Sequence, residues 1–246
     1  MLTQFYQKVW SEAYSQNDKN ILSLLKKNPE AKVIDIGCGD GQKTLKFIQK
    51  IKSKDITGLD GVIERLKVAK RRGIKKIVLA DIEKEWPLKS KSFDIVISNQ
   101  VIEHLSDIDH FIKEVERVLK PNGYAVISTE NLASWHNIFA LMLGYQPFST
   151  HLIAKSHIGN PLSPHFGEKT LTWSAKDNSG VDDTAYPHLK VPTYFSLIKI
   201  FEEYGFELEE GLASGYYPLF RAASLIASRI DPYHSHFITI KVRKPK

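Results

Sequence analysis

Three acidic residues lie in or just after short apolar runs in the first half of the chain. They are Asp35 in VIDIGCGDG, Asp60 in DITGLD and Asp81 in VLADIE. Gly37, Gly39 and Gly41 follow Asp35, and glycines there let the backbone turn tightly and approach a ligand closely. Their spacing is G-x-G-x-G, whereas the dinucleotide-binding fingerprint G-x-G-x-x-G needs a further glycine where this chain has Gln42.

A carboxylate beside such a loop suits a cationic ligand. A pyrophosphate at a helix N-terminus would be repelled by Asp35, whereas a ligand with ammonium and sulfonium groups would be stabilised by it. The distance of Asp60 along the chain suits a carboxylate that binds two ribose hydroxyls. Asp81 could accept a hydrogen bond from an adenine amino group, with Ile82 against the ring. The glycine spacing disfavours a nicotinamide dehydrogenase.

Alternating strand and helix patterns predict how these residues are positioned. Strands are predicted at KVIDIG, DITGLD, KKIVLAD, SFDIVISN and YAVISTE, and a turn at KPNG. Helices are predicted over residues 42–51, 62–72 and 108–119. This alternation predicts an α/β fold with a parallel sheet that is covered by helices on both faces. The acidic residues then share the carboxyl edge of the sheet, where open α/β sheets bind ligands.

The second half of the chain is less regular. Helices are predicted over 131–144 and 192–204, and strands at GFELEEG and HFITIKV. Residues 146–192 are rich in Pro, Gly, His and Ser, which is typical of a functional lid or a disordered segment. We therefore predict one domain, with a cofactor-binding core of about 20–130 and 193–246 and a lid or acceptor insertion of about 131–192.

In combination, VIDIGCGDG, ITGLD, LADIEKEWPLKSKSFDIVISNQVIEHLSD and RVLKPNGYAVIS resemble class I S-adenosylmethionine-dependent methyltransferases, of the type 11 group that includes ubiquinone-biosynthesis enzymes. The resemblance implies a Rossmann-like, mostly parallel sheet of seven strands with the last strand antiparallel. It implies S-adenosylmethionine as the cofactor and S-adenosylhomocysteine as the product. The cofactor contacts that it implies are Asp35, Gly37, Gly39, Gly41, Asp60, Gly61, Asp81, Ile82, Asn99 and Gln100.

Three further residues are candidates for catalysis. His104 follows the fourth predicted strand and is the first candidate for a general base, although it could also pack against the next helix. Glu103 could orient His104 or face solvent. The resemblance of PHLKVPTYFSLIKIFEEYGF to the stretch before the final hairpin places His188 near the active site.

A metal is the alternative for this segment. Related small-RNA and quinone methyltransferases bind one at E-x-x-E-H, but Gln100 replaces the first acid here. A hard divalent cation prefers carboxylates, so we predict no metal. If a metal did bind, His165 or His188 would have to supply a further ligand.

Composition limits the partners. The chain has 246 residues and a formal charge of +6, and its single cysteine, Cys38, favours a cytoplasmic protein. No apolar run approaches the ~18–20 residues that span a bilayer, so we expect no transmembrane segment. The basic stretch 67–76 lacks interleaved aromatic residues, which disfavours nucleic acid. We expect a small acceptor, hydrophobic or anionic; RNA or protein methylation and a non-catalytic binding role stay open. WHNIFALMLGY and YYPLFRAASLIASRI are apolar enough to bury against the protein or to meet a lipid surface.

Overall fold

The computed structural model of the protein describes residues 2–153, 155–164, 166–167 and 187–246, with side chains from residue 8 onward. His165 lies outside the described residues. The strands are β1 (Lys32–Ile36), β2 (Asp55–Asp60), β3 (Lys76–Leu79), β4 (Phe93–Asn99), β5 (Leu119–Glu130), β6 (Leu152–Ile153), β7 (His157–Ile158), β8 (Glu207–Ser214) and β9 (Phe237–Arg243). The helices are α1 (Leu2–Leu24), α2 (Gln42–Ile51), α3 (Ile63–Arg71), α4 (Ile108–Val118), α5 (Trp135–Met142), α6 (Tyr194–Glu203) and α7 (Arg221–Ile230).

Seven strands form one sheet in the order β3-β2-β1-β4-β5-β9-β8. The five strands from β1 to β5 run parallel, and β9 is antiparallel to both of its neighbours, β5 and β8. This confirms the predicted fold class. The order reverses between β1 and β4, which is the point in a doubly wound sheet where a crevice opens at the carboxyl ends of the strands.

Apolar side chains of alternating strand positions separate into two core layers. Ile34 and Ile36 of β1 belong to the layer that α4 and α6 cover, whereas Val33 belongs to the layer with Ile21 and Leu24 of α1. Successive strand side chains point to opposite faces, so a strand covered on both faces is apolar at nearly every position. That pattern made the core strands recognisable.

The segment Lys120–Gly123 corrects one prediction. KPNG was predicted as a turn before the fifth strand, but β5 runs without a break from Leu119. The strand instead shifts register between the positions facing Phe93 and Ile95, and Asn122 takes a φ of 63°. Lys120 Nζ lies 2.8 Å from both carboxylate oxygens of Asp94, which holds the irregular stretch against β4.

Two long connections leave the sheet at the same edge. The β5–β9 and β8–β9 ladders pair both Glu130 and Ser214 with Phe237, so the chain after β5 and the chain after β8 start where β9 begins. We call the described residues of these connections the cap: 131–153, 155–164, 166–167, 187–192 and 215–236. The sequence pattern had indicated only the first connection as an insertion.

The described helices include none that is both long and apolar enough to cross a membrane. The cap nevertheless contains most of the exposed large apolar side chains among the described residues.

Candidate active site

The loop after β1 presents its backbone to open space. Gly37, Gly39 and Gly41 all have positive φ, at 72°, 55° and 80°. A Cβ atom on Gly37 would lie 2.4 Å from Val101 Cγ2, so no larger residue fits there. A Cβ atom on Gly39 would meet no atom within 4 Å. A ligand can therefore approach the backbone closely at Gly39.

Asp35 is buried directly beneath this loop. Its side chain is 3% exposed, and its Oδ2 accepts a hydrogen bond of 2.6 Å from Thr44 Oγ1. Burial raises the pKa of the Asp35 carboxyl to about 7. A cationic group brought against this carboxyl would stabilise its ionised form and lower that pKa.

Asp60 connects the loop to the end of β2. Asp60 is buried; its Oδ2 accepts from Gly39 N and its Oδ1 from Val62 N, both at 2.9 Å. Each carboxylate oxygen can accept a second hydrogen bond, so two acceptor positions remain for a pair of hydroxyls. Gly61, the next residue, is exposed.

Asp81 lies just after the end of the neighbouring strand, β3, and is exposed to solvent. Its Oδ1 accepts from Glu83 N at 3.1 Å, and its Oδ2 is 3.2 Å from Lys84 Nζ. The hydrogen bond from Glu83 N lowers the pKa of the Asp81 carboxyl. Ile82 is half-buried and packs on the apolar core.

Strain and an unpaired donor occur together at the end of β4. Gln100 has a φ of 58°, a left-handed conformation that is costly for a residue other than glycine. Its buried Nε2 has no hydrogen-bond partner among the described residues. Asn99 Oδ1 accepts from Asn17 Nδ2 of α1 at 3.3 Å. Backbone strain and an unsatisfied buried amide typically mark a functional site.

Helix α1 crosses over the start of α2 beside the glycine loop. Lys43 Nζ lies 2.5 Å from Asp18 Oδ1 and 3.6 Å from the centroid of the Tyr14 ring. Trp10 stacks on Tyr14 with ring centroids 4.7 Å apart. The N-terminal helix thus supplies a wall next to the loop.

Glu103 lies in a 3₁₀ turn after β4 and is fully buried. Its Oε2 accepts a hydrogen bond of 2.8 Å from Thr129 Oγ1, and its backbone carbonyl accepts from Leu189 N at 2.7 Å. Burial raises the pKa of the Glu103 carboxyl. The alternative that Glu103 faces solvent is therefore wrong, because the chain around residue 189 covers it.

His104 and His188, which are 84 positions apart, come together in space. Their ring centroids are 4.8 Å apart in an edge-on arrangement. His104 Nδ1 lies 3.3 Å from the carbonyl of Pro187, and His188 Nδ1 lies 2.9 Å from that of Ser149. A carbonyl only accepts, so each Nδ1 carries the proton and each Nε2 carries the lone pair that a base or a metal ligand needs.

The same three residues could hold a metal. One ligand atom each from Glu103, His104 and His188 lies within 4.8 Å of the others. Two imidazoles and one carboxylate suit a divalent transition metal better than Mg²⁺. The arrangement can serve as a general base or as a ligand set.

Glu130, His136 and His236 extend this cluster, and local sequence patterns gave no signal for Glu130 or His236. Glu130 Oε2 is 3.6 Å from His188 Nδ1, and Glu130 Oε1 is 3.6 Å from His236 Nε2. His236 Nδ1 lies 3.1 Å from His136 Nε2. Burial lowers the pKa of His136 to about 3 and that of His236 well below its usual value.

The low pKa of His136 predicts acid sensitivity. The folded state favours the neutral imidazole, so this stability is fully present above the unfolded pKa of 6.5 and is lost as pH falls from 6.5 towards about 3. We expect His136→Gln to flatten the fall of the melting temperature over this range. His234→Gln, at a partly exposed cap position, is the control; equal slopes for both variants would contradict the interpretation.

Comparison with known proteins identifies a domain within the chain. Residues 34–127 match a family described as a methyltransferase domain. The chain carries a class I methyltransferase domain. The match includes the glycine loop and the ends of β1 to β4, whereas α1, the cap, α6 and the last two strands of the sheet lie outside it.

Curated relatives match over a similar part of the chain. The ubiquinone biosynthesis O-methyltransferase of Pelagibacter ubique (strain HTCC1062) is 33% identical over 142 residues, which are 54% of this chain and 58% of that protein. The malonyl-[acyl-carrier protein] O-methyltransferase of Methylovorus sp. (strain MP688) is 35% identical over 118 residues, covering 44% of this chain and 39% of that protein. The chain therefore spans about half the length of the curated relatives that it matches.

A solved structure shows that the fold extends beyond the matched residues. An S-adenosylmethionine-dependent methyltransferase from Mesorhizobium loti aligns with a TM-score of 0.59 at 18% identity, covering 92% of this chain and 96% of that one. At that identity the likeness concerns the fold, so the methyltransferase fold includes the strands after the cap.

The cofactor of this class of methyltransferase domain is S-adenosylmethionine, and the residues present fit it. The buried Asp35 carboxyl suits a cationic group, the backbone of Gly39 faces open space, and the amide of Gln100 has a hydrogen to donate. The donors and acceptors therefore match a ligand with an ammonium group, ribose hydroxyls and adenine.

Proposed function

We propose that the protein transfers the methyl group of S-adenosylmethionine to an oxygen, nitrogen or carbon atom of a small acceptor by direct in-line displacement. The observation that carries the proposal is the methyltransferase domain with both Asp35 and Asp60 buried at its glycine loop. The names of the two curated relatives favour an oxygen acceptor. A cytoplasmic location and a single domain with a lid are part of the same proposal.

The proposed cofactor contacts follow the strand ends. The glycine loop and Asp35 hold the methionine part, and Asp60 with Gly61 binds the ribose. Asp81 and Ile82 contact the adenine. Asn99 and Gln100 would line the cofactor near its reacting methyl group. When bound, S-adenosylmethionine supplies a methyl group already activated on a sulfonium, so no protein nucleophile is required.

The histidine pair supplies the base for a hydroxyl or amine acceptor. His104 and His188 lie after β4 and before α6, at the carboxyl edge of the sheet. Nε2 of one imidazole would take the proton that the acceptor atom loses when the methyl group is transferred, the sulfur–methyl bond breaks and S-adenosylhomocysteine is left. Glu130, 3.6 Å from His188 Nδ1, stabilises the resulting imidazolium. Holding the acceptor in line can lower the activation free energy of methyl transfer by about 7–11 kcal/mol.

Calorimetry with S-adenosylmethionine and S-adenosylhomocysteine tests the proposal. We expect micromolar binding by the wild type and an affinity about 100-fold lower in Asp60→Ala, because two hydroxyls lose a charged acceptor. Asp55→Asn, at the other end of the same strand, is the control and should bind normally. If the folded wild type bound neither compound, a non-catalytic binding role would replace the proposal.

A further inference from the structure

Helix α5 turns apolar side chains towards solvent. Trp135, Phe139 and Met142, at positions i, i+4 and i+7, form one stripe along the helix. They are 42%, 54% and 79% exposed. The opposite face is buried, with Asn137 and Ala140 inaccessible. The helix is therefore apolar on the side that a surface helix normally keeps polar.

Other parts of the cap expose apolar side chains as well. Ile226 and Ile230 of α7 are one helical turn apart, and Ile230 is 80% exposed. The described cap exposes eleven further large apolar side chains, among them Leu143, Leu152 and Phe220. A monomer rarely leaves so many large apolar side chains exposed in one region unless they bind something.

These pieces are joined by specific contacts. Trp135 Nε1 donates a 2.6 Å hydrogen bond to the Tyr216 hydroxyl, and its ring stacks on His234 with centroids 4.5 Å apart. His136 packs against Phe148 from one connection and Tyr217 from the other. The two connections thus form a single layer over the carboxyl edge of the sheet.

The exposed charged side chains of the described cap are all cations. Its described residues include four exposed cations, Lys155, Lys190, Arg221 and Arg229. The one carboxylate in the described cap, Asp231, accepts from the Tyr216 hydroxyl and is paired with His234. The apolar surface is therefore flanked by positive charge.

We propose that the cap docks on an anionic lipid surface, with its aromatic and aliphatic side chains at the headgroup level and its cations against anionic headgroups. Trp and Tyr rings favour that level because one end of the ring is polar. A second copy of this chain fits less well, since a two-fold contact would bring the like charges of the two caps together. Lipid supplies the opposite charge.

Docking would place the candidate active site at the lipid surface. Leu189, 55% exposed, directly follows His188. The cap carbonyl of Ser149 accepts from the His188 ring. This consequence rests on the proposed methyl transfer: an amphiphilic acceptor would reach the histidine pair without leaving the lipid.

Vesicle flotation tests the docking. We expect the wild type to float with vesicles of phosphatidylcholine and phosphatidylglycerol, and much less with phosphatidylcholine alone. The double variant Met142→Ser/Ile230→Ser should partition about tenfold more weakly. Lys155→Gln and Arg229→Gln should each weaken partitioning about fivefold. All these positions are exposed, and thermal melts check that the variants fold.

Matched controls lie away from the cap. Leu208→Ser on β8 removes an exposed apolar side chain, and Lys67→Gln on α3 removes an exposed cation; both should float like the wild type. Equal losses in the controls, absence of flotation, or a dimer in light scattering that the double variant abolishes would each overturn the proposal. Calorimetry with S-adenosylmethionine separates the two proposals, because flotation without cofactor binding contradicts methyl transfer alone.

Discussion

Asp35→Asn is expected to lower the affinity for S-adenosylmethionine about 100-fold at pH 8, since it removes the charged partner of a cationic ligand. In the wild type, the affinity should fall about tenfold for each pH unit below 7. The reason is that the Asp35 carboxyl, whose pKa is raised to about 7 by burial, must lose its proton to bind a cation. Calorimetry from about pH 6 to about pH 8 measures this dependence.

Stability should change in the opposite direction. The folded-state pKa of Asp35 is raised from 3.8 to about 7, so the folded protein binds this proton more tightly than the unfolded chain. That contribution is fully present below pH 3.8 and is lost as pH rises through about 7. Asp35→Asn cannot ionise, so its melting temperature at pH 8 should be at least that of the wild type.

Asp40→Asn is the matched control for the Asp35 variant, because Asp40 lies on the same loop and is paired with Arg72. It should keep both the affinity and its pH dependence. Cofactor binding by the wild type that does not change between about pH 6 and about pH 8 would show that no cationic group of the ligand lies against Asp35.

His188→Gln is expected to lower turnover by about 10²–10⁴-fold while leaving S-adenosylmethionine affinity unchanged, because it removes a general base without touching the proposed cofactor contacts. S-adenosylhomocysteine release is measured with whichever member of a panel of phenols, amines and carboxylates the wild type methylates. Glu130→Gln should keep part of the activity, with the pH at which activity rises shifted downward, because the imidazolium loses a negative neighbour.

Chelation distinguishes the base from the metal alternative. We expect turnover of the wild type to survive dialysis against EDTA, because transfer of a methyl group that is already activated on a sulfonium requires positioning of the acceptor and no metal. Activity that EDTA removes and Mn²⁺ or Zn²⁺ restores would instead assign Glu103, His104 and His188 as metal ligands. His234→Gln, which removes a different histidine of the cap, is the control for His188→Gln.

The core of the fold and the cofactor edge could be predicted from the sequence because both depend on local patterns. Continuous apolar runs indicated β1, β2 and β4, and helical spacing gave α2 with its observed bounds, Gln42–Ile51. Parallel strands bring their carboxyl ends to one edge, so Asp35 and Asp60 had to lie near the glycine loop. Sequence spacing alone therefore determined the neighbourhood of these residues.

Only the tertiary structure brought Glu130 and His236 to His188 and left apolar side chains of the cap exposed. Glu130, His188 and His236 meet because β5, β9 and the chain before α6 reach one edge, and no local pattern relates residues so far apart. The sequence of an apolar helix such as α5 does not show whether another element or solvent covers its apolar face. The structure leaves Met142 and Ile230 exposed, because no described element packs over that face.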